Sequence, residues 1–129
     1  TILTGTPAPI GTPMIVLVQG EIRFDGSPSF SGATMYVRLE DVGEADAPAK
    51  LVSEYVRHGV AFDPRAAEAL TFELTGEAPD AGASYSVRAH IDVDGDGQVS
   101  VSDFISTQSY PVLTTVHPSQ VSVLVRPVP

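Results

Sequence analysis

The chain has 129 residues, enough for one self-sufficient domain, and its 43% hydrophobic share excludes global disorder. It carries 16 acidic against 7 basic residues, a net charge of −9, which excludes electrostatic docking on a nucleic-acid duplex or an anionic bilayer. It has no cysteine, so disulfides and thiolate metal sites are excluded, and no apolar run of the roughly 18 residues a membrane-spanning helix needs.

Residues Thr1 to Pro13 are rich in Thr, Pro and Gly and read as an extended leader to a single domain over 14–129. The chain begins at Thr1 without Met, as a trimmed mature protein would. From Met14 the pattern has period two. Met14, Val16, Val18, Ile22 and Phe24 share one face; Gln19, Glu21, Arg23 and Asp25 share the other. Asp25-Gly26-Ser27-Pro28 is a turn.

A second strand over Thr34 to Asp41 turns Met35, Val37 and Leu39 inward. Leu51 to Phe62 is a third, with a bulge expected near Gly59. Asp63-Pro64 suits the start of a short helical turn running to Ala69, although an irregular loop is the simpler expectation. Leu70 to Leu74 alternates with Phe72 and Leu74 inward, and a turn follows at Pro79, Asp80 and Gly82. Tyr85, Val87, Ala89, Ile91 and Val93 then form an inward row. Strands at Phe104 to Tyr110 and Val121 to Val125 complete the set. About seven half-apolar strands with almost no helix predict an all-β domain, an antiparallel β-sandwich.

The segment Asp92-Val-Asp-Gly-Asp-Gly-Gln-Val-Ser-Val-Ser-Asp103 matches the EF-hand calcium-loop pattern D-x-D-x-D-G-x5-E, with Asp in place of the final Glu. Asp92, Asp94 and Asp96 offer hard carboxylate oxygens at spacing two, and Gly97 permits the sharp turn. The backbone carbonyl of Gln98 supplies a further ligand, Ser100 binds directly or through water, and Asp103 closes the cage. Val99 stands where such loops pin themselves to the core. Asp103 is one methylene shorter than Glu, which predicts weaker, extracellular-type affinity, a Kd on the order of 10⁻⁴ M. An acidic hairpin turn would account for Gly95 and Gly97. It would not account for three like charges two residues apart, which repel unless a cation lies among them. The flanking segments read as strands, and no second such loop exists. The expectation is therefore one structural Ca2+ between two strands, with no helical switch.

Other features are weaker. Glu40, Asp41, Glu44 and Asp46 form a second acidic cluster that reads as a solvated loop. His58, His90 and His117 are far apart; His90, just before the loop, reads as an exposed strand histidine, with contact to the metal ligands as the alternative. Tyr36, Tyr55, Tyr85 and Tyr110 could build an aromatic face, but Tyr85 belongs to the inward row. No H-E-x-x-H, G-x-S-x-G or phosphate-cradling glycine motif is present, so no enzyme is expected.

Val37-Arg-Leu-Glu-Asp41-Val42 with Ala45-Asp46-Ala47-Pro48-Ala49, then Tyr85-Ser-Val-Arg-Ala-His-Ile91, then Tyr110-Pro-Val-Leu-Thr114, resemble segments of an envelope lipoprotein family. It is the family of type III secretion lipoprotein chaperones (pilotins) and YbaY-like lipoproteins, and the resemblance runs from about Gln19 to Val125. It implies a compact β-sandwich in the periplasm or at the outer membrane that assists a secretin or another envelope protein; a secreted protein is the alternative address. It implies no catalytic residues. The family's lipid-bearing cysteine is absent from these residues, and the calcium loop looks like an addition. The competing expectation is a calcium-dependent carbohydrate-binding or adhesive surface domain.

Overall fold

The structure is a computed structural model that describes residues 14–43, 47–65, 69–79, 82–113 and 119–129. Among these, every regular element is a strand: β1 (Ile15–Phe24), β2 (Phe30–Asp41), β3 (Lys50–Phe62), β4 (Leu70–Gly76), β5 (Tyr85–Asp92), β6 (Phe104–Ser106), β7 (Pro111–Val112) and β8 (Gln120–Pro127). No described helix is long and apolar enough to cross a membrane.

The all-β expectation holds, with a refinement. The two facing layers belong to one sheet of order β3-β2-β5-β6-β8-β1-β4, with β7 paired to β5, curled until its ends nearly meet. The pairs are antiparallel except β1 with β8, which run parallel from Gln19↔Gln120 to Phe24↔Val125. Gly20 makes that pairing feasible. A Cβ there would lie 2.2 Å from the Val121 carbonyl oxygen and 2.6 Å from the Phe72 ring.

The core follows the expected alternation. Met35, Val37 and Leu39 of β2 are fully buried, and Leu70, Phe72 and Leu74 of β4 meet Val87, Ala89 and Ile91 of β5 in the same cluster. Each of these side chains except Ala89 contributes about 1.5–3 kcal/mol relative to exposure. Tyr85 is buried as expected.

The predicted β1 face needs correction at its start. The register shifts between Val16 and Val18, so Leu17 and Val18 are both buried while Met14 and Val16 lie exposed. Leu17 takes the space left by Gly76, where a Cβ would come within 2.9 Å of its Cδ1. The bulge near Gly59 is present: Ala33 pairs Val60 while Met35 pairs Arg57, and Gly59 has φ +67°. The expected 104–110 strand is shorter, ending at Ser106. Asp63 Oδ1 accepts the Arg65 N–H at 2.9 Å, turning the chain at Pro64; residues 66–68 of the helical turn lie outside the described residues. So do the 1–13 leader, Glu44, Asp46, Asp80, Thr114 and His117.

One feature near the site was not foreseen. Phe24, Phe30, Phe62 and Phe104 form an aromatic cluster with ring centroids 4.4 to 6.2 Å apart. Phe104 is the first residue after the acidic loop, so the cluster ties the loop's exit to the core.

Candidate metal centre

The acidic loop connects β5 to β6, which pair as Ile91↔Phe104 and His90↔Ile105. Its first acid therefore ends β5 and its last immediately precedes β6, on adjacent arms of a hairpin. Asp92 and Asp103 are buried, whereas Asp94 and Asp96 are exposed.

The loop turns around its own carboxylates. Asp92 Oδ1 accepts the Gly95 N–H at 3.0 Å and Oδ2 accepts the Gly97 N–H at 2.8 Å. Gly95 and Gly97 have φ of +74° and +77°, a region that costs other L-residues about 1–2 kcal/mol. Asp94 Oδ1 accepts from Asp96 N at 3.3 Å, and Asp96 Oδ1 accepts from Gln98 N at 2.9 Å. The Ser100 hydroxyl donates to Asp94 Oδ2 at 2.8 Å. Asp103 Oδ1 accepts the Val93 N–H at 2.8 Å, and Oδ2 accepts the Ser100 N–H at 3.2 Å.

Asp92, Asp94, Asp96 and Asp103 each place a carboxylate oxygen within 4.8 Å of the others. Four of the expected side chains thus converge. Ser100 joins them through its bonds to Asp94 and Asp103, and Gln98 contributes its backbone to the same turn.

The electrostatics divide the loop. Burial pushes the Asp92 carboxyl above the ordinary aspartate range; the Asp94 side chain and the Asp103 charge push the same way, against the Gly97 and Gly95 N–H bonds. The Asp94 carboxyl is held below that range, first by the Ser100 hydroxyl.

His90 departs from the expected exposed histidine. Its Nε2 lies 2.9 Å from Asp103 Oδ2, its side chain is 16% exposed, and its ring stacks on Tyr36 at 5.6 Å. His90, Asp92 and Asp103 form an overlapping ligand-capable group. The signal was the spacing: on β5, His90 stands two residues before Asp92, and the hairpin brings it opposite Ile105. Val99 also departs from expectation, being 56% exposed where core anchoring was foreseen; Phe104 does the anchoring instead.

The weaker sequence features resolve into structural roles. Glu40 meets Arg88 at 3.4 Å, and Asp41 accepts from Gly43 N at 2.9 Å. The tyrosines build no common exposed face: Tyr85 is in the core with Tyr55 and Tyr110 packed against it, the Tyr110 hydroxyl accepts from Leu124 N at 2.8 Å, and Tyr36 stacks on His90.

Two likenesses to known proteins bear on this fold. No curated protein matches the chain. A solved structure, an alternative pilotin from the type II secretion system of Vibrio cholerae, superposes with a TM-score of 0.72 at 25% sequence identity, covering 91% of this chain and 99% of that one. The model of the type III secretion system lipoprotein chaperone family matches residues 15–125, from the first residue of β1 into β8. The chain therefore belongs to the type III secretion system lipoprotein chaperone family.

Proposed function

We propose that this protein is a non-enzymatic, pilotin-like chaperone of the bacterial cell envelope, which binds an outer-membrane protein such as a secretin, and that its 92–103 loop holds one calcium ion in a structural role. The observation that carries the protein-binding part is the extent of the likeness. The family match spans β1 to β8, and the pilotin is covered almost end to end, so the likeness takes in the whole described sheet.

Calcium fits the donors. The set consists of hard oxygens from Asp92, Asp94, Asp96, Ser100 and Asp103, and the loop pattern assigns one more to the Gln98 carbonyl. When bound, the ion would neutralise the mutual repulsion of the carboxylates. The protein's own residues do the rest. Gly95 and Gly97 let the backbone turn, while the Val93 and Ser100 N–H groups and His90 fix the orientation of Asp103. A set this complete favours a structural ion over one that keeps an open position for a sugar hydroxyl, which sets the carbohydrate-binding alternative behind this reading.

The reading is tested by co-expressing the full chain with the secretin of its own envelope and measuring a purified complex. A stoichiometric complex of micromolar or tighter affinity is expected. A failure of every outer-membrane secretin in the same cell to bind would overturn the chaperone role.

A further inference from the structure

Asp92 and Asp103 are the charged side chains buried among the described residues, and they are buried at the same place. A buried charge is stable when it is paired with an opposite charge or binds a metal. The partners of these two are the Val93, Gly95, Gly97 and Ser100 N–H groups and the Ser100 hydroxyl, all neutral, together with His90. His90 alone among them brings a nitrogen that can bind a metal.

Strand geometry sets that nitrogen among the oxygens. His90 and Asp92 are two residues apart on β5, so both side chains leave the face opposite to Val87, Ala89 and Ile91. The hairpin then returns Asp103 to the same point. One ligand atom from each of His90, Asp92 and Asp103 lies within 4.8 Å of the other two. His90 Nε2 and Asp103 Oδ2 are 2.9 Å apart. Two atoms bound to one zinc ion at about 2.0–2.1 Å in tetrahedral geometry stand roughly 3.3 Å apart. The pair therefore has to open by only a few tenths of an ångström, with the ion in place of the proton between them. A cleft lined by His90, Arg88, Val99 and Ile105 gives an ion access from solvent.

The nitrogen sets the class of ion. Calcium and magnesium take oxygen ligands, whereas zinc and its first-row neighbours accept imidazole and carboxylate together. We propose that His90, Asp92 and Asp103 form a second metal-binding mode of this hairpin, taking a divalent transition metal of the zinc class through one imidazole nitrogen and two carboxylates. This goes beyond the calcium reading: it shares Asp92 and Asp103 with that ligand set but needs neither Asp94 nor Asp96. The remaining position falls to solvent, as in other zinc sites with three protein ligands.

Zinc chloride is the probe, titrated by calorimetry into the chelator-stripped full chain, with the histidine rings followed by nitrogen NMR of isotopically labelled histidine. The His90 Nε2 signal should move to the position of a metal-bound nitrogen. Zinc affinity should fall at least about tenfold in His90→Ala, whose parent side chain lies outside the core cluster, and should be retained in Asp94→Ala/Asp96→Ala. If His90→Ala fails to fold, the ring shift in the parent decides. No zinc uptake at millimolar concentration, equal affinity in His90→Ala, or a shift of the His58 or His117 ring with His90 unmoved would overturn the proposal. So would zinc binding that disappears in Asp94→Ala/Asp96→Ala, because the ion would then belong to the calcium set. Calcium uptake without zinc uptake would remove this mode and leave the calcium reading standing; zinc uptake without calcium uptake would do the reverse.

Discussion

The four acids of the 92–103 loop fall into two pairs with opposite characters. Asp92 and Asp103 are buried, and backbone N–H groups of the loop bond both oxygens of each. Asp94 and Asp96 are exposed, and bond to main chain only two residues ahead, with Ser100 added for Asp94. The buried pair is therefore part of the architecture whether or not an ion is present. The exposed pair brings negative charge to one point with little structural return, and that asymmetry is what a cation would explain.

Substitutions separate the two pairs. Asp103→Ala should have the largest effect, since it strips acceptors from the Val93 and Ser100 N–H groups and from His90 at a fully buried position. A loss on the order of 3 kcal/mol in chelator is expected from denaturant unfolding. Asp92→Ala should cost less, about 1–2 kcal/mol. The Gly95 and Gly97 N–H groups it frees lie on exposed residues that water can reach, and the buried charge it removes was itself costly. Gly97→Ala should cost about 1 kcal/mol through its φ of +77° alone, measured in the same way. Asp94→Ala/Asp96→Ala should leave the ion-free Tm within about 3 °C of the parent while abolishing any rise with calcium. If the exposed pair proved as destabilising in chelator as Asp103→Ala, the division would fail.

Acidity sharpens the same contrast. Because folding raises the Asp92 pKa, the folded chain holds that proton more tightly than the unfolded chain. In chelator, this contribution to stability is fully present below the ordinary value of 3.8 and is lost as pH rises through the raised value. Asp94 acts in the opposite sense: its lowered pKa stabilises above the ordinary value of 3.8 and is lost as pH falls below it. With calcium present, protons compete for Asp92, so the calcium-induced rise in Tm should shrink as pH falls from neutrality to the ordinary aspartate value of 3.8. A rise that stayed constant over that range would show that Asp92 is not a ligand.

Much of this was legible in the chain itself. The loop's limits are those of its motif, because Asp92 ends β5 and Phe104 begins β6. Met35, Val37 and Leu39 are buried because strand alternation needs no tertiary information. What was not legible depends on contacts between distant segments. Leu17 replaces Val16 in the core because Gly76 leaves room for it. β8 pairs in parallel with β1 because Gly20 lets the Val121 carbonyl approach. His90 joins Asp103 only once the hairpin closes. The sheet's near-closure also could not be read from alternation, since a strand with one apolar face serves a sandwich and a curled sheet equally well.

The most direct test of the metal-binding account is calorimetric titration of calcium into the chelator-stripped full chain, with Asp94→Ala/Asp96→Ala alongside. One saturable site with a Kd on the order of 10⁻⁴ M, absent from the double variant, is the predicted result. A parent chain that takes up no calcium at millimolar concentration, or a variant that binds as the parent does, would contradict it.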